Sequence, residues 1–151
     1  MFIHFKSKSI NVKNQMMDRN NNFQSKGNNM LTEFNTYLIS LPGVRIQNTT
    51  SDSTSFTYNG LFFVFIYEEN DPNYVRLILP GIAEKDKISN IEEVLNEYNS
   101  DYKAMKMTIL NNNILFSIEQ FIYSKERVNE MFARMINVLE FAINNFRRKY
   151  Q

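Results

Sequence analysis

The residues of this chain that could do chemistry are few: one histidine, two pairs of neighbouring carboxylates and a basic run near the carboxyl end. Acid/base work needs two carboxylates that converge on one bond. Glu68-Glu69 and Glu92-Glu93 are adjacent in sequence, and adjacent side chains on a strand end or a helix point apart. Both pairs read as solvated charge. His4 could serve as a base or a metal ligand. A zinc site, however, draws on several His, Cys or carboxylate ligands, and a serine–histidine–aspartate triad would need this single imidazole at the start of the chain. It reads as a solvated tail residue. The absence of cysteine removes disulfides, thiol catalysis and thiolate metal sites. Only four glycines are present, and none forms a phosphate-cradling loop. Arg147-Arg148-Lys149 could touch phosphate, yet three charges at a helix end are too few to predict nucleic-acid binding. No catalytic residue, metal site or cofactor is expected.

One charged group remains. Arg76, Lys106 and Glu119 fall on strand positions that face away from the core, where they could form a cross-strand ion pair or a polar patch that holds a partner. What must position them is a set of strands and helices legible from periodicity.

Leu31, Phe34, Leu38 and Leu41 recur at helical spacing over residues 30–41, with Asn29 as cap and Pro42-Gly43 as stop. Residues 44–47 could add a short extended piece. Residues 55–58 alternate as a half-buried strand, and Asn59-Gly60 is a hairpin signal because both turn positions need positive φ. The strand 61–67 that follows is apolar on both sides, so it needs cover on both, from its own fold or from another chain. Asp71-Pro72 predicts the next turn, residues 74–79 a strand, and Pro80-Gly81 its end. Ser89 and Glu92 form a capping box for a helix over 89–99, with Ile91, Val94, Leu95 and Tyr98 as its buried stripe. A second hairpin spans 103–121, turning at Asn111-Asn112-Asn113.

The last helix, 125–149 with Ser124 as cap, carries a 4-3-4-3-4 seam of Val128, Phe132, Met135, Leu139, Ala142 and Phe146. Ile136, Ile143 and Tyr150 add a second apolar stripe, and Met131, Val138 and Phe141 extend it around the helix. Such breadth fits either a helix wedged between the sheet and the first helix or a subunit contact.

The fold class expected is therefore α+β, an antiparallel sheet of about five strands with three helices in the order α-β-β-β-α-β-β-α. The candidate interaction surface comprises Phe62, Val64, Ile66, Arg76, Lys106, Glu119, Ile136 and Ile143.

Composition bounds the rest. The chain has 151 residues, 43% hydrophobic and 22% charged, with a formal net charge of +1, which gives no strong field for nucleic acid or an anionic membrane. Residues 1–28 are polar and aperiodic and read as a disordered tail, with Met16, Met17 and Met30 as alternative starts; residues 29–151 read as a single α+β domain. No apolar run reaches the ~20 residues of a membrane span, and the amino end lacks a secretory apolar core. The protein is expected in the cytoplasm. Frequent Asn, Ile, Lys, Phe and Tyr suggest an AT-rich bacterial genome.

The element order over about residues 30–150 resembles the type III secretion chaperone-like fold, and within it the YbjN-like bacterial proteins. The match lies in Tyr58-Asn59-Gly60 before a hydrophobic strand, Asp71-Pro72 before Tyr74-Val75-Arg76-Leu77, Leu79-Pro80-Gly81, and the hairpin ending Ser117-Ile118-Glu119-Gln120-Phe121. The resemblance implies one compact domain, often a homodimer, with no catalytic residues. Secretion chaperones of this fold bind an extended segment of an effector along their surface. They are usually acidic, whereas this chain is near neutral. The reading that follows is a non-catalytic protein-interaction module, chaperone- or adaptor-like. Its expected partners are a second copy of itself and a protein client, not nucleic acid or a membrane. A small-ligand-binding regulator, or an enzyme with an unrecognised carboxylate site, is the alternative.

Overall fold

The computed structural model of the chain describes residues 29–151; His4 and the tail expected over 1–28 lie outside them. The elements are α1 (Met30–Ser40), β1 (Arg45–Thr49), β2 (Ser53–Tyr58), β3 (Leu61–Glu68), β4 (Asp71–Glu84), α2 (Ile91–Asp101), β5 (Met105–Leu110), β6 (Asn113–Phe121) and α3 (Val128–Tyr150). The strands form one antiparallel sheet in the order β1-β2-β3-β4-β6-β5. The α+β order expected from the sequence is the one found. The extended piece after α1 is a full sixth strand at the sheet edge.

The two hairpins turn where their asparagines allow it. Asn59 and Gly60 both have positive φ, 49° and 75°, which matches the twist of the strands they join. Asn111 and Asn112 do the same at 48° and 65°, so two residues make that turn and Asn113 already belongs to β6. The Asn59 side chain also donates to Glu140 Oε1 at 2.8 Å, tying the first hairpin tip to α3.

Four local expectations are corrected. Pro80-Gly81 does not stop β4, which runs on to Glu84. Between the pairs Leu79↔Phe116 and Ala83↔Ile114, β4 carries two more residues than β6. The missing Pro80 amide and the positive φ of Gly81 (65°) are absorbed by that bulge. The turn before β4 falls at Glu69-Asn70, and Pro72 sits in a second irregularity, where β3 pairs pass from Tyr67↔Val75 to Glu68↔Asp71. The Ser89–Glu92 capping box does not form. Ile88 is buried behind a short 3-10 turn at Lys85–Lys87, so the chain redirects through Asn90 (φ 54°), whose carbonyl accepts from Glu93 and Val94 at 3.0 and 3.1 Å. Ser124 does not cap α3 either. Its hydroxyl accepts from the Glu126 amide at 3.3 Å in a turn ahead of the helix, which starts at Val128. The cap foreseen at Asn29 is present, accepting from the Thr32 amide at 2.9 Å.

All three helices lie against one face of the sheet. α1 packs on β2, β3 and β4, α3 on β4 and β6, and α2 on β5. Two ring clusters fill the interface. Phe34 of α1 stacks on Phe65 at 3.8 Å between centroids and meets Phe132 of α3 edge-on at 4.8 Å. At the other end Phe116 gathers Tyr98 of α2 and Phe146 of α3, at 5.6 and 5.8 Å. α2 also covers one sheet edge: Asn99 accepts from the Met107 amide at 2.7 Å and donates to its carbonyl at 3.1 Å. The opposite edge, β1, is exposed along its whole length.

Candidate interaction surface

Strand alternation sends half of each strand to the face without helices. The register places Ser55, Val64, Ile78, Ser117 and Lys106 in one row across that outer face, and Ser53, Ile66, Arg76 and Glu119 in the next. Phe62, opposite Thr57, begins a third row. On β3 the inner side, Leu61, Phe63, Phe65 and Tyr67, is buried, whereas Phe62 is 44% exposed and Val64 and Ile66 are half-buried. Among the described residues, the two-sided apolar strand thus has helix cover on one side only.

The structure brings Phe62, Val64, Ile66, Arg76, Lys106 and Glu119 onto this one face. Arg76 and Glu119 are directly opposite in register and bridge at 2.8 Å, and Lys106 reaches the same carboxylate at 3.4 Å. Arg76 also donates to the Tyr74 hydroxyl at 2.9 Å. Ile136 and Ile143 are elsewhere: they are 2% and 0% exposed, inside the chain's own core. Their breadth of apolar contact comes from a helix set among the sheet and α1. Residues the candidate surface omitted extend it. Ile78 lies between Val64 and Ser117, and Tyr74, Phe121 and the 88%-exposed Tyr123 form a ladder of rings along one end. Strand parity puts Tyr74 and Ile78 on the side of Arg76; Tyr123 lies beyond the strand and carries no periodic signal.

The ion group is a measurable feature of this face. Burial alone would raise the Glu119 carboxyl, but the charges of Arg76 and Lys106 outweigh it and hold the group below the usual carboxylate range. A carboxyl depressed by folding adds stability that is complete above its unfolded pKa and is lost as pH falls through the folded value. Glu119→Gln is expected to lower stability by about 0.5–1 kcal/mol at neutral pH. The difference from wild type should shrink below about pH 4.3, the unfolded carboxylate value. Urea denaturation at neutral and at acid pH measures it, and a difference of equal size at both would overturn the assignment.

A second polar group sits between the carboxyl-terminal halves of α2 and α3. Glu97 accepts from Lys149 and, at 3.3 Å, from the Tyr150 hydroxyl; Asn145 donates to the Tyr102 hydroxyl at 2.9 Å. The hydrogen bond from Lys149 is the main cause holding the Glu97 carboxyl below its usual range. Burial, with neighbouring Tyr102 and Tyr150, pushes the Tyr98 phenol up to about 12, so it stays protonated at neutral pH. These groups satisfy one another and knit the two helices together. Glu68, Glu69, Glu92 and Glu93 are all exposed, and among the described residues no cluster of three or more His, Cys, Asp or Glu side chains could hold a metal. No described helix is long and apolar enough to cross a membrane.

These features define an α+β protein with three helices on one face of a six-stranded antiparallel sheet and an amphipathic outer face. No protein-family model and no curated protein matches the sequence. Among solved structures, a chain of the crystal structure of the ExsC–ExsE complex has a similar fold. The TM-score is 0.59 at 14% identity, covering 85% of this chain and 96% of that one. At that identity the likeness is one of fold, and it supports the type III secretion chaperone-like fold expected from the sequence.

Proposed function

We propose that this protein is a non-catalytic, chaperone- or adaptor-like interaction module, working in the cytoplasm as a homodimer, that holds a protein client on the outer face of its sheet. The observation that carries the reading is the apolar flank of β3, Phe62, Val64 and Ile66, on which no helix packs among the described residues, beside a fixed ion group. An exposed patch of contiguous apolar side chains rimmed by charge is a recurrent mark of protein-binding surfaces. The similar fold found in the ExsC–ExsE complex adds support, since that structure contains two different proteins in contact. The narrower YbjN-like affiliation rests on the short strings from Tyr58-Asn59-Gly60 to Ser117-Ile118-Glu119-Gln120-Phe121.

Affinity capture from the source organism with wild type and with Phe62→Asp/Ile66→Asp tests the reading. Both positions face outward, so strand propensity limits the stability loss to about 1 kcal/mol each. The client recovered with wild type should fall at least about tenfold with the variant, as expected for loss of apolar anchors. Equal recovery by the two proteins would refute this face as the client site.

A further inference from the structure

The side of α3 turned away from the sheet carries its own pattern. Arg127, Glu130, Arg134, Val138, Phe141 and Arg148 follow one another at spacings of three, four, four, three and seven, which is a single stripe at the helical period. It lies nearly opposite the buried seam of Phe132, Leu139 and Phe146. Phe141, in the middle, is 62% exposed and leans on Tyr102 at 6.4 Å. Together with Val138 it lines a shallow apolar depression bordered by Glu130 and Arg134. Glu130 lies near the amino end, between Arg127 and Arg134, and Arg147, Arg148 and Lys149 lie at the carboxyl end.

We propose that this stripe is where a second copy of the chain docks, with the two α3 helices antiparallel across a twofold axis near Leu139. The proposal rests on the homodimer reading above and adds its contact face. A twofold interface must be self-complementary, and the stripe meets this with one opposite-charge contact that the axis repeats. Reversing its direction about position 139 sets Glu130 opposite Arg148 at both ends, Arg134 opposite Asn144, Arg127 opposite Gln151, and Phe141 against Asn137 and Val138 in the middle. The helix dipoles then oppose one another, which is the favourable sense. Glu130 already accepts from Arg127, and a carboxylate has acceptor capacity left for a second guanidinium. Among the described residues Arg148 donates to Asn145 Oδ1 through one guanidinium nitrogen, and the fork has further N–H groups for a carboxylate.

The geometry also sets the strength. From Glu130 to Arg148 a helix rises about 27 Å, so a pair of single helices buries less than the ~800 Å² per partner of a standard interface. The dimer is therefore expected to dissociate in the micromolar range. The outer sheet face lies on the opposite layer, so both copies would keep it open for a client.

Sedimentation equilibrium of the full chain over a micromolar concentration series tests this. Wild type should dimerise. Phe141→Asp, at an exposed position, should keep its circular dichroism spectrum and raise the dissociation constant about 100-fold, as for a central apolar anchor. Glu130→Arg and Arg148→Glu each place like charges face to face at both ends and should weaken self-association at least tenfold. Mixed in equal amounts, they restore both opposite-charge contacts and should form a heterodimer of near wild-type affinity. A wild-type dimer that Phe141→Asp leaves intact would overturn this face while leaving the homodimer reading standing. A wild-type protein that stays monomeric throughout would overturn both. Failure of the mixed variants to re-associate would overturn the antiparallel arrangement.

Discussion

Ile143→Asp is expected to abolish the folded state. Ile143 is fully buried on α3, within the core cluster that also holds Leu139 and Phe146. Removing a core aliphatic side chain of this size costs about 2–5 kcal/mol. An isolated carboxylate placed in the same position costs several more, or must take up a proton to stay. The total stability of a domain is about 5–15 kcal/mol, so the two penalties together are enough to erase it. The expected readout is loss of the cooperative thermal transition in circular dichroism, with the protein aggregated or expanded on size exclusion. Phe62→Asp is the matched control: the same charge enters at a side chain that is 44% exposed, and the transition should survive. A folded, monomeric Ile143→Asp protein would move Ile143 from the core to a subunit contact.

That contrast marks where the sequence was legible. On α3 the 4-3-4-3-4 seam identified Val128, Phe132, Met135, Leu139, Ala142 and Phe146, and all six are buried. The same periodicity could not say which neighbour covers Ile136 and Ile143, because a wide apolar arc looks alike whether sheet, helix or second subunit lies over it. The outer strand face was readable by parity, which put Arg76 and Glu119 on the face that the register then joined. The failures were at boundaries. Pro80-Gly81 reads as a terminator, and only pairing with β6 across a bulge shows that the strand continues. Ser89 and Glu92 have the spacing of a capping box, but burial of Ile88 fixes the chain just upstream and Asn90 takes the cap position in the left-handed region. The Asn99 clamp on Met107 is tertiary, and nothing local in the sequence announces it.

The two candidate contact faces differ in the same way. Phe62, Val64 and Ile66 stood out because a strand with two apolar sides is over-supplied for one layer of helices. Phe141 and Val138 were merged with the core breadth of α3, since a single exposed Phe among Arg, Asn and Glu side chains does not alter a helical period. Only the burial of Ile136 and Ile143 inside the fold separates the inner arc from the outward stripe, where Phe141 is 62% exposed and meets Tyr102 alone among the described rings.

Phe34→Ala should produce a large stability loss without introducing a charge. Phe34 is fully buried and, with Met30, Leu31 and Leu38, joins α1 to the core: its ring stacks on Phe65 at 3.8 Å with 10° between planes, meets Phe132 edge-on at 4.8 Å and lies 5.6 Å from Phe56. Truncation removes the ring contacts to Phe56, Phe65 and Phe132 at once and leaves a void between two strands and two helices. The neighbours are themselves locked, since Phe56 stacks on Phe63 and Phe132 also packs on Phe65, so the void cannot collapse easily. A Phe→Ala change in such a site costs about 3–5 kcal/mol. For a domain of this size that corresponds to a fall in melting temperature of about 10–20 °C. Phe34→Leu keeps much of the volume and should recover roughly half of the loss. Phe141→Ala, at an outward ring, should shift melting by no more than about 2–4 °C. Thermal denaturation of the three variants side by side measures the series. A Phe34→Ala protein that melts within a few degrees of wild type would mean that α1 does not pack on the sheet through this ring.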